Sequence, residues 1–163
     1  MRFRSPGSMT GSPAKEAPVT ARELAELPKD EALRLLASVP FGRVVFTARA
    51  LPAVRPVNHL VDGSRIIIRT SLGSALRADV DGTGTVVAYE ADEIDPETHQ
   101  GWSVVVVGRA VAVTDELHRL RYRELLQPWV AGQRDEVIAI STDMITGYRL
   151  VPPAGQKVLP IRP

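Results

Sequence analysis

From Arg43 to Val113 the chain passes through five short runs of β-forming residues, most of them separated by little more than turn chemistry. That succession limits the fold more than any other feature. The runs are Val44-Val45-Phe46, Val54 to Val61, Ser64 to Thr70 around Ile66-Ile67-Ile68, Val86 to Glu90, and Trp102 to Val113. Asp62-Gly63 between the second and third is a strong hairpin signal. Short links favour antiparallel neighbours, because parallel strands need a long crossover. The alternation of strands with helices that a dinucleotide-binding sheet requires is missing, as is its GxGxxG fingerprint. An antiparallel sheet of six or so strands protects its edges by closing. The expected fold is therefore mainly β: an antiparallel barrel of six or more strands with flanking helices. Gly108, inside the fifth run, is expected to mark a bulge or bend at a barrel corner.

Helical signals flank these strands. Thr20 and Glu23 have the spacing of a capping box, with Leu24 and Leu27 following at helical spacing. Pro28 interrupts. A second helix is predicted from Lys29 to Ser38, with Ala32, Leu33, Leu35, Leu36 and Val39 along one side and Pro40 and Gly42 ending it. A third is predicted from Asp115 to Leu126, its apolar side supplied by Leu117, Leu120, Leu125 and Leu126. Val137 to Ile140 and Thr146 to Val151 read as two last strands. Residues 1–18 carry Gly, Ser, Pro and scattered charge without apolar period and read as a disordered tail. The domain is expected over 19–151, followed by a Pro-rich arm or tail over 152–163.

Composition excludes several chemistries. Lys and Arg total 20 against 19 Asp and Glu, a formal charge of +1. That balance gives no overall pull toward nucleic acid or an anionic membrane. With no cysteine, disulfides, thiolate metal sites, iron–sulfur clusters and cysteine nucleophiles are ruled out. No apolar run is long enough to span a bilayer, and the N-terminus lacks the apolar core of a secretory signal, so a cytoplasmic location is expected. His59, His99 and His118 fall on different elements without HxxxH or HxH spacing, which gives little basis for a metal site. Asp92, Glu93 and Asp95 read as a solvated acidic loop.

Three segments could carry chemistry. Arg55-Pro56-Val57-Asn58-His59 lies in the second strand, where Pro56 removes a ladder donor and leaves backbone groups free to meet a planar ligand; an ordinary edge strand explains the same letters. Arg69-Thr70-Ser71-Leu72-Gly73-Ser74 sits where a strand turns and offers a guanidinium, hydroxyls and backbone N–H groups to an anion, with Arg77 shortly after; a polar turn with a capping Ser fits equally. Gln100-Gly101-Trp102-Ser103-Val104 opens the most apolar strand, and its Trp either closes a site or covers the barrel end.

In this order, FGRVVFT, LPAVRPVNHLVDGSRIIIRTSLGSAL, VVAYEADEIDPETHQGWSVVVVGRAVAVTD and ISTDMITGYRL resemble the flavin-binding family of pyridoxamine 5'-phosphate oxidase-like proteins, from about Leu27 to Leu150. The resemblance implies a split barrel that forms a homodimer with FMN in clefts between subunits and a small-molecule substrate. It implies that Arg55, Pro56, Val57 and Asn58 approach the isoalloxazine, and that Arg69, Thr70, Ser74 and Ala75 form the phosphate side. It implies that Trp102, Ser103 and Val104 close the site from the partner subunit. One departure stands out. The family commonly has Lys or Arg after the Ser at position 74, and this chain has Ala75 and Leu76, so the charge would fall to Arg69 or Arg77. The implied activity is a flavin-dependent oxidoreductase. The alternatives are a deazaflavin-dependent reductase on the same fold, or a non-catalytic carrier or sensor of flavin or of haem bound through His59. No catalytic side chain is indicated.

Overall fold

The computed structural model describes residues 22–70, 84–127 and 136–153. In chain order the elements are β1 (Glu23–Glu26), α1 (Lys29–Ser38), β2 (Phe41–Ala48), β3 (Leu51–Asp62), β4 (Arg65–Thr70), β5 (Thr85–Ile94), β6 (Gly101–Ala112), α2 (Glu116–Leu125), β7 (Glu136–Ser141) and β8 (Met144–Val151). All strand pairs are antiparallel. From β6 the sheet runs through β5, β2, β3, β4 and β7, and β7 returns to β6, so six strands close a barrel. β8 lies along the other half of β6, and β1 along β8, as a two-stranded wing.

Closure depends on β6 having two neighbours on one edge. Gly101–Val107 pairs with β8, and Ala110–Ala112 pairs with β7. Gly108 stands at the changeover. A bulge or bend is the expectation there, and the bulge is absent, since the register with β5 runs unbroken from Thr85↔Ala110 to Ile94↔Gly101. The glycine answers to close approach: a Cβ at Gly108 would collide with the carbonyl oxygen of Ser141, the last residue of β7.

Strand alternation sorts the side chains. Val44, Phe46, Ile66, Ile68, Val87, Tyr89, Trp102, Val104, Val106, Ile138 and Ile140 fill the interior, and α1 lays Ala32 and Leu36 into the same core. Burying each large aliphatic side chain contributes about 1.5–3 kcal/mol. A second, smaller cluster lies outside the barrel wall, where Ile67, Val137 and Ala139 meet Tyr122 and Leu126 at α2.

Two helical expectations need correction. Glu23–Glu26 is a strand, held in register on β8 by pairs such as Leu24↔Leu150. Leu24 is exposed there, and Thr20 lies outside the described residues. The edge of β8 overrode a weak helical spacing. α2 occupies its expected span, with Asp115 accepting from the His118 backbone N–H as its cap. Its buried side, however, is Tyr122 and Leu126, and Leu117, Leu120 and Leu125 face solvent. The acidic stretch also differs from expectation: Asp92 and Glu93 are strand residues of β5, and Asp95 braces the following turn by accepting from the backbone N–H groups of Glu97 and Thr98. No described helix is long and apolar enough to cross a membrane.

Candidate functional site

The first segment lies on the half of β3 that β4 does not reach. β3 pairs with β2 from Leu51 to Asn58, and its register with β4 begins only at His59↔Ile68. The N–H of His59 donates to Pro40 O at 3.1 Å, toward β2. By the two-residue period, the backbone groups of Val57 and Arg55 also face β2, and those of Asn58 and Pro56 face away from it. The missing donor of Pro56 therefore costs no bond to β2. Arg55 lies on the strand face that carries Val57 and His59, yet it is exposed, with one Nη donating to Val54 O at 2.8 Å.

The second segment meets the first at the end of α2. Arg69 Nη1 donates to Arg123 O at 3.1 Å and to Leu126 O at 3.0 Å. Asn58 Nδ2 donates to Gln127 O at 2.8 Å. Two side chains picked out as ligand-binding thus converge on the carbonyl end of one helix, where a cation and an amide donor are favoured. Any anion near Arg69 would compete with those carbonyls for its guanidinium. Thr70 is buried at the end of β4, opposite Glu136. Ser74, Ala75 and Arg77 lie outside the described residues.

The third segment is elsewhere on the wall. Trp102 and Val104 point inward and are buried; Ser103 points outward and is half-buried. Trp102 lines a cleft of about 680 Å³ between α1, the β5–β6 connection and the end of β8, together with Leu35, Ile94, Gln100, Arg149 and Val151. That volume falls in the range of small-molecule sites. Arg149 crosses the cleft wall to Glu31 of α1 at 2.8 Å. Asn58 and Ser103 stand at the same level of the barrel but three strand spacings apart, roughly 14 Å around the wall. One chain does not bring the first and third segments together.

Between them runs a patterned outer face. The register aligns Met144, Val107, Ala88, Val45 and Val54 in one row across β8, β6, β5, β2 and β3. All five point outward, and Met144 and Val54 are exposed. The next row is Thr146, Val105, Glu90, Arg43 and Pro56. Arg43 Nη1 reaches Glu90 at 2.8 Å and Asp92 at 2.6 Å. Those carboxylates, Asp92 foremost, raise the pKa of the guanidinium. The Glu90 carboxyl is also raised, because its partial burial outweighs the help of Arg43.

Sequence reasoning missed one polar arrangement. His59 is buried with Nε2 2.8 Å from Leu36 O and Nδ1 2.8 Å from the Tyr89 hydroxyl. Its place on the inward-facing period of β3, with Val57 and Val61, was the available signal. Both ring nitrogens have protein partners, which corrects the idea of His59 as a haem ligand.

A model of the pyridoxamine 5'-phosphate oxidase family matches residues 28–154. The uncharacterised protein Rv0080 of Mycobacterium tuberculosis is 53% identical over 151 residues, covering 90% of this chain and 95% of its own length. A solved structure from Corynebacterium glutamicum, provisionally named a pyridoxamine 5'-phosphate oxidase, is 32% identical with TM-score 0.66, covering 80% of this chain and 100% of that one. The FAD-binding protein of Mycobacterium smegmatis is 31% identical with TM-score 0.60, covering 77% and 97%.

Proposed function

The chain belongs to the pyridoxamine 5'-phosphate oxidase family, and on that premise we propose that it is a flavin-binding oxidoreductase that holds FMN between two copies of itself. The observation that carries this reading is the separation of the candidate segments. The β3 edge and the Trp102 strand share a level of the barrel but not a pocket, and the outer face joining them presents a five-residue apolar row. A second copy packed on that face would set the Trp102 strand of one copy toward the β3 edge of the other. Flavin binding by a 31% identical relative supports the cofactor class.

The residues present fit a flavin in part. Among the described residues no strand pairs with the edge of β3 at Pro56 and Asn58, so that edge offers backbone groups, and exposed Arg55 offers a cation beside them. A bound flavin would supply the hydride and electron chemistry; the protein orients it and sets its electrostatics. Arg55 would favour negative charge on the adjacent ring or phosphate. Arg69 would hold the end of α2 beside the site and give up a carbonyl only to a stronger anion.

Titration of the purified protein with FMN, followed by flavin fluorescence and by sedimentation, tests both parts. Binding tighter than about 100 µM, near −5.5 kcal/mol, is expected from a dimer. A monomer that binds nothing at that concentration would end the proposal. Stronger competition by a deazaflavin coenzyme would keep the fold and change the cofactor. If Arg69 holds the phosphate, Arg69→Ala weakens FMN by about one to two decades while sparing riboflavin. Equal losses for both ligands would show that it acts through α2.

A further inference from the structure

Tyr89, His59 and Leu36 form a buried chain of hydrogen bonds that joins three elements. A backbone carbonyl only accepts, so His59 Nε2 carries the proton that Leu36 O receives at 2.8 Å. Nδ1 is then the acceptor, and the Tyr89 hydroxyl donates to it at 2.8 Å. The two rings meet edge to face, 5.2 Å between centroids. The same hydroxyl lies 3.4 Å from Val57 O, in the middle of the open strand. Gly42 makes room for it: a Cβ there would stand 2.7 Å from the Tyr89 oxygen. With the imidazole neutral, both ring nitrogens and the hydroxyl are matched, and the contact from Tyr89 to Val57 O stays long.

Adding a proton to His59 would give Nδ1 a hydrogen to donate. The Tyr89 hydroxyl would have to turn and accept it, sending its own hydrogen toward Val57 O. The groups around the pair are the Leu36 carbonyl from α1, the Val57 carbonyl from β3, Arg43 from β2 and Glu90 from β5, which acts on the Tyr89 phenol. Burial opposes a charged imidazole and lowers its pKa from the ordinary 6.5.

We propose that His59 and Tyr89 are positioning residues for the ligand-binding strand: the neutral imidazole locks the Tyr89 hydroxyl on its Nδ1, and protonation of His59 turns that hydroxyl onto Val57 O and draws the Val57 stretch of β3 inward, so ligand affinity falls in acid. The ligand part rests on the flavin reading above; the lock does not.

Two measurements on the full chain test it. In ¹⁵N-labelled wild type, His59 is expected as the Nε2–H tautomer, and the Val57 amide shift is expected to follow its titration. An imidazole of the other tautomer, or a Val57 signal that ignores that titration, would overturn the lock whether or not flavin binds. FMN affinity of wild type is expected to hold from about pH 7.5 down to the ordinary imidazole range and to weaken below it, so that it is lower at about pH 5 than at about pH 7.5. His59→Gln keeps a donor for Leu36 and an acceptor for Tyr89 without a titrating group, so it should bind at both pH values like neutral wild type. Tyr89→Phe keeps the ring, loses the hydroxyl, and should bind about three- to tenfold more weakly at neutral pH, with a flattened profile. Acid sensitivity persisting in His59→Gln, or a wild-type profile in Tyr89→Phe, would overturn the effect on affinity. Absence of FMN binding at every pH would remove the flavin reading and leave the spectroscopic arm to decide the lock.

Discussion

The two helices are both ten residues long and each carries three leucines, yet they use them in opposite ways. α1 buries Leu36 completely and packs Leu35 against the barrel core. α2 turns Leu117, Leu120 and Leu125 outward and buries Tyr122 and Leu126 instead. The difference comes from the surfaces they meet. α1 meets the barrel core itself, a deep apolar space that accepts aliphatic side chains. α2 lies against the outside of β4 and β7, a shallow wall of Ile67, Val137 and Ala139. There one flat ring covers more area than a leucine and also carries a hydroxyl out to Asp62. Helical period alone does not say which side of a helix will be covered.

The contrast can be broken by substitution. The largest effect is expected at Leu36→Ala, which should lose about 2–5 kcal/mol of stability in denaturant unfolding, because the barrel end cannot collapse around the cavity. A loss below about 1 kcal/mol would mean that α1 is no more deeply seated than α2. Tyr122→Phe sharpens the comparison from the other side. It keeps the ring and removes the bond to the Asp62 carboxylate, for a loss of about 1 kcal/mol at neutral pH after allowing for the solvent around Asp62. The Tyr122 hydroxyl holds the Asp62 carboxyl below its ordinary 3.8, so this contribution is present above that pH and lost as pH falls through the lower folded value. The gap between wild type and Tyr122→Phe should therefore narrow in acid; a gap that widened would contradict the assignment. The smallest effect is expected at Leu117→Ala, within about 0.5 kcal/mol of wild type. A penalty matching that of Leu36→Ala would show that the outer face of α2 is covered in solution.

Much of the barrel was legible because hairpins announce themselves locally. Asp62-Gly63 and the run Ile66-Ile67-Ile68 place β3 and β4 without knowledge of the rest. Glu23–Glu26 was not legible as a strand, because only the distant edge of β8 makes it one. The site divides in the same way. Pro56 pointed to a stretch of β3 that, among the described residues, pairs with β2 alone. The destination of the Arg69 guanidinium could not be read, since the chain reaches the end of α2 only after 54 more residues. His59 stood in the first candidate segment, and the alternation of β3 placed it on the interior side, but its partners could not be read because they come from α1 and β5.

At Gly108 the ring is fastened by the absence of an atom. One added methyl group at that point would collide with the Ser141 carbonyl, where β7 joins β6 and the circle closes. A designer who wished to give this scaffold a new ligand would have most of its positions to vary and should leave that one alone.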